Sequence, residues 1–143
     1  MTKRQAQLAA IKKNAKAVFT KPEIQMKGIL DELLISYLGN QHVEVKDYDS
    51  STYSYQLDFV IPNHGCFWTL LEINGHHHQT PKFKKKDGWR AGLILDRAIS
   101  GPIFSKVIEY DAEFLRLKKF RPLAIEALRK ALASTDRIVW CDA

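Results

Sequence analysis

The chain has 143 residues, of which 45% are hydrophobic and 27% charged, with a formal net charge of +6 and a pI near 9.3. That length and balance predict one globular domain with its own core, undivided by repeats or low-complexity tracts. No apolar run approaches the ~20 residues of a membrane span, and the first residues lack the apolar segment of a secretory signal, so a cytoplasmic protein is expected. Cys66 and Cys141 are only two cysteines, which suggests reduced thiols and no disulfide scaffold.

The positive charges fall in blocks: Lys3 to Lys21, then Lys82, Lys84, Lys85, Lys86 and Arg90, then Arg116 to Arg121. Such blocks attract polyanions through counterion release, which makes nucleic acid the first partner to consider.

Taken in order, Thr2 caps a helix whose apolar positions Leu8, Ile11, Ala15 and Val18 leave Lys12 and Lys16 on another face. Thr20-Lys21-Pro22-Glu23 reads as a second helix start with a capping box, in which Glu23 reaches back to the Thr20 amide. The apolar spacing predicts that this helix runs to Leu38 and is closed by Gly39-Asn40. A strand over 42–46 and a turn over 47–52 follow. Tyr53 to Ile61 then alternates, with Tyr53, Tyr55, Leu57, Phe59 and Ile61 on one face and Asp58 and Val60 on the other. A hairpin centred near His64 returns the chain through Phe67 to Asn74, with Glu72 and Asn74 on one face. Pro81 opens a helix through Ile99, with Asp87 on its buried stripe and Arg90 one turn away. A strand over 106–110, helical segments divided at Pro122, and a short edge strand over 137–140 complete the chain. The order predicts an α/β domain, three layers deep, with a central mixed sheet flanked by helices. Its core spans 22–110, preceded by the basic helix of 1–20 and followed by a helical region over 111–143.

Asp58 and Glu72 are carboxylates inside strands of branched and aromatic residues, where an uncompensated charge is costly. The register centred on His64 sets Asp58 opposite Leu70, with Glu72 its diagonal neighbour at about 7 Å. At that separation two carboxylates can share a metal, whereas without one their charges would push a pKa upward. Divalent metal chemistry is therefore the reading that accounts for both.

Glu23 on a helix, Leu57-Asp58-Phe59-Val60-Ile61-Pro62, Glu72-Ile73-Asn74-Gly75 with His78 beyond it, and Asp87-x-x-Arg90 together resemble the restriction-endonuclease-like superfamily, PD-(D/E)xK. Within it the pattern is most similar to the very-short-patch-repair-type and EDxHD endonucleases. The resemblance covers about Pro22 to Tyr110. It implies a metal-dependent DNA endonuclease, nicking or selective for a mismatch, branch or junction, using Mg²⁺ with Mn²⁺ as a substitute. Asp58 and Glu72 would be the metal ligands, and Glu23, His78 and Asp87 the remaining catalytic positions. The superfamily's lysine position holds Asn74, which cannot act as a base, and His78 is the residue that would take over.

Lys84, Lys85, Lys86 and Arg90 are expected to hold backbone phosphates. His76-His77-His78 cannot easily turn three consecutive rings onto one tetrahedral ion, which argues against zinc. Trp68, Trp89 and Trp140 read as packing residues rather than base-stacking wedges. No zinc finger or helix-turn-helix signature supplies extended sequence specificity, a compactness that fits a phage or mobile-element nuclease by association alone. Two other classes stay open: a catalytically silent DNA-binding or nuclease-partner subunit, and an RNA-directed nuclease. Monomer and homodimer are equally compatible with the sequence.

Overall fold

The computed structural model describes residues 20–63, 66–75 and 79–143. The basic helix expected before Thr20 lies outside these residues, as do His64, Gly65 and the three histidines at 76–78. Helix α1 (Lys21–Glu32) starts as its sequence dictates: Thr20 is the N-cap, Pro22 sits in the first turn, and Glu23 Oε2 accepts the Thr20 N–H at 3.3 Å. It ends well short of Leu38. Leu34 adopts φ 58°, which reverses the chain, and the Ile35 N–H closes back on the Leu30 carbonyl at 2.9 Å. A left-handed leucine is unfavourable by itself, but it lets Leu33, Ile35 and Tyr37 pack on the core and frees the next residues to pair as a strand. Helical spacing alone cannot register that competition.

The strands are β1 (Leu38–Lys46), β2 (Thr52–Pro62), β3 (Trp68–Asn74), β4 (Ala98–Ser100), β5 (Phe104–Asp111) and β6 (Ile138–Cys141). They form one mixed sheet in the order β4-β1-β2-β3-β5-β6. β1, β2 and β3 are an antiparallel meander, whereas β3 pairs with β5, and β5 with β6, in parallel. The parallel step requires a crossover, which helix α2 (Pro81–Asp96) supplies. This helix stops at Asp96 instead of Ile99, because Ala98–Ser100 pairs with the edge of β1. After β5, two short 3₁₀ turns lead into α3 (Arg121–Ala133).

Each sheet face has its own core. On one, α1 and α3 bury Met26, Ile29, Leu30, Ala124 and Leu128 against Phe59, Ile61, Leu71, Ile108 and Tyr110. On the other, α2 buries Ala91, Leu93 and Ile94 against Val43, Val45, Leu57, Val60, Leu70 and Val107. Leu128 is fully buried, so Leu128→Ala is expected to cost about 2–5 kcal/mol, read as a lower urea midpoint at unchanged slope.

The strict alternation expected along β2 lapses in the middle. Leu57 and Val60 both join the α2-side core, whereas Phe59 and Ile61 join the other. The lapse falls at Asp58, beside Asn40, whose φ of 57° breaks the pleat of the neighbouring strand. Asparagine tolerates that conformation better than most residues. Asp58 thus sits at the border between the two faces.

Candidate acidic active site

Glu72 on β3 and Glu109 on β5 are partners in register across the parallel pair, each a few residues from its strand's C-terminal end. In open α/β sheets this is the end at which ligands bind. Both are buried, with 4% and 2% exposure. Asn74 completes the floor: its Nδ2 donates to Glu109 Oε2 at 2.5 Å.

Asp58 meets Glu72 more directly than the sequence suggested. The bridges Phe59↔Leu71, Val60↔Leu70 and Pro62↔Trp68 centre the turn on position 65 rather than 64. One step beyond Phe59↔Leu71, Asp58 and Glu72 are therefore across from each other. There the ladder gives way to a side chain, since the Ile73 N–H donates to Asp58 Oδ2 at 2.8 Å. That bond fixes the Asp58 carboxylate beside Glu72.

Burial chiefly, and then the charge of Asp58, hold the Glu72 carboxyl well above the usual carboxylate range; Arg90 offsets this in part, while a hydrogen bond with Asp58 and the charge of Glu109 add to it. Arg90 Nη2 lies 3.2 Å from Glu72 Oε1. Burial would lower the Arg90 pKa, but Glu72, Glu109, Asp87 and Asp58 together raise it. Its guanidinium also lies 5.4 Å from the Tyr55 ring centre, and its Nε is buried without a hydrogen bond. Asp87 is buried one turn before Arg90, as the helical stripe predicted. Glu23 caps α1 and also reaches this neighbourhood: burial first, and then the charge of Asp58, raise its pKa.

Asp58, Glu72, Asp87, Arg90 and Glu23 thus converge, joined by Glu109, which the sequence reading passed over. The signal was present, since Glu109 stands in a strand between Ile108 and Tyr110 as Asp58 and Glu72 stand in theirs. His78 lies outside the described residues. The lysine run divides: Lys84 pairs with Asp142 at 2.5 Å and lies over the Trp140 ring, whereas Lys85 and Lys86 are exposed. The packing role expected of the tryptophans holds only for Trp68, which lies against the α2-side core; Trp89 and Trp140 are 46% and 38% exposed.

Among the described residues the cluster sets Asp58, Glu72, Asp87, Glu109 and Glu23 against one arginine, an acidic balance. Glu72 Oε1 is buried and makes no hydrogen bond, but it is the oxygen that Arg90 Nη2 approaches at 3.2 Å, so its compensation is an ion pair. Among the described residues no group of three or more His, Cys, Asp or Glu side chains is arranged to hold a metal ion. Two carboxylates, Asp58 and Glu72, are nonetheless a donor set that suits a hard ion, which keeps several waters. No protein-family model, curated protein or solved structure matches the chain.

Proposed function

We propose that this chain is a metal-dependent DNA endonuclease with a restriction-endonuclease-like core, nicking or structure-selective in its cleavage. The observation that carries the reading is the buried Glu72 carboxyl set beside Asp58, with Arg90 offsetting their charge only in part. Two buried carboxyls that one arginine offsets only in part are costly enough to favour a functional arrangement over a structural one. The helix, meander, crossover and parallel strand that hold it support the same superfamily reading.

Mg²⁺, or Mn²⁺ in its place, held by Asp58 and Glu72 would polarise the scissile phosphoryl group and lower the pKa of a bound water. The chain's own residues do the rest. The Ile73 amide keeps Asp58 oriented. Arg90, released from Glu72, would offer its guanidinium to phosphate oxygens, and the exposed Lys85 and Lys86 on the same helix would attract the neighbouring backbone, with Lys84 joining them only on leaving Asp142. His78 is by its chemistry able to take or give the proton near neutral pH, and Glu23 or Asp87 would orient that histidine or the attacking water.

A second reading, the catalytically silent DNA-binding subunit, draws on Asn74 at the superfamily's lysine position and on its tie to Glu109. Cleavage of supercoiled plasmid and of matched, mismatched and four-way DNA, with Mg²⁺, Mn²⁺ or EDTA, separates the two. The expected result is metal-dependent cutting that EDTA abolishes and that His78→Ala slows by roughly 10²-fold or more. DNA binding without cutting in any metal favours the silent subunit.

A further inference from the structure

A run of ring contacts leads out of the acidic cluster to the surface. Arg90, paired with Glu72, lies over Tyr55; Tyr55 and Tyr53 are nearly parallel at 14°, with centres 6.3 Å apart; Tyr53 meets Trp89 edge to face at 5.7 Å. Tyr53 and Trp89 are 36% and 46% exposed and touch each other at the rim of a charged site. Lys85 and Lys86 stand one helical turn from Trp89 and are exposed.

We infer that Tyr53 and Trp89, backed by Tyr55, form a stacking platform for unpaired nucleobases, so that the strand reaching the acidic cluster arrives single-stranded. Aromatic faces beside exposed lysines are the pairing by which proteins hold single strands: bases stack on rings while cations follow the phosphates. Tyr55, half-buried beneath Arg90 and nearly parallel to Tyr53, backs the exposed pair Tyr53 and Trp89. A ring that takes a base on its face needs that base out of a duplex stack, where both of its faces are covered, which favours a single strand. The ring run ends at Arg90, so a strand lying on it leads its backbone to the only arginine of the cluster. The place of cutting rests on the nuclease reading, but base stacking by the platform does not.

The test is binding of labelled oligothymidylate, of a fully paired duplex of equal length and of an RNA strand, by fluorescence anisotropy in EDTA. Wild type is compared with Trp89→Leu, Tyr53→Leu and Trp89→Phe. The expected result is about a tenfold loss of single-strand affinity in each leucine variant, recovery in Trp89→Phe, and a duplex affinity changed by less than about twofold. Tighter binding of the RNA strand with the same variant pattern keeps the platform and changes the sugar. Equal losses on single strand and duplex overturn the inference, as do unchanged affinities beside a lowered melting temperature, the mark of rings that only fasten α2 to β2. Preference for single strands lost in Trp89→Leu, without cutting in Mg²⁺, keeps the platform and removes the nuclease. Cutting that is indifferent to both leucine variants, with unchanged single-strand binding, does the reverse.

Discussion

Asp58→Ala is expected to reduce metal-dependent cleavage at least about a thousandfold while leaving DNA affinity within a few-fold. A metal's stabilisation of developing charge is worth several kcal/mol, and each ~1.4 kcal/mol is tenfold in rate. On the proposed reading, DNA binding would rest on Arg90, the exposed lysines and the net positive charge, which the substitution does not touch. Alanine also removes the acceptor of the Ile73 N–H, at a cost of about 1 kcal/mol. Asp58→Asn retains an acceptor there and reduces the charge, so it tests the ligand role in a chain that keeps its fold. Full cleavage by Asp58→Asn at ordinary Mg²⁺ concentration would reject Asp58 as a ligand.

The second large effect concerns Glu72→Gln, expected to be inactive yet more stable than wild type when metal is absent. Glu72's folded pKa is raised, so the folded chain holds a proton that the unfolded chain releases near the ordinary value of 4.5. Its contribution to stability is present below that value and is lost as pH rises through the folded pKa. At neutral pH, above the ordinary carboxylate range, the raised pKa makes the wild-type carboxyl a burden on the folded chain, and glutamine removes it for a gain on the order of 1 kcal/mol. Arg90 is not stranded by the change, since Glu109, Asp87 and Asp58 still act on it. Metal binding should reverse the slope in wild type, because ligation displaces the proton and strengthens with pH. Melting curves at several pH values, in EDTA and in Mg²⁺, read both effects. A Glu72→Gln protein that melts lower than wild type in EDTA and still gains stability from Mg²⁺ would mark Glu72 as one half of a structural ion pair.

What the sequence made legible was chemical anomaly. A carboxylate in an apolar strand identified Asp58 and Glu72, and a polar residue on a buried helical stripe identified Asp87; both signals follow from desolvation and need no knowledge of the fold. Glu109 carried the same signal and was overlooked because no motif drew attention to it. What the sequence concealed depends on long-range choices. Leu34 accepts a left-handed backbone only because a strand is gained beyond it. The turn after Pro62 moved the register by one residue, which converts a diagonal pair of acids into a facing one. Asn40's positive φ breaks the alternation of its neighbour strand and sets Asp58 between two faces. The surface position of Trp89 was hidden for a related reason: helical spacing gives a residue's angle around its helix, not where the sheet beneath it ends.

The two cores differ in how many helices guard them. Among the described residues, α1 and α3 share one face, while α2 alone covers the other and also carries Asp87 and Arg90. Lifting α2 as one cooperative unit would dismantle the cluster while the opposite core remained packed, and such partial openings require less free energy than global unfolding. A cation and a polyanion that bridge α2 to β2 and β3 would oppose that opening directly. Were the proposed ligands bound, occupancy and local rigidity would be two readings of one equilibrium, with the protein most firmly closed when loaded.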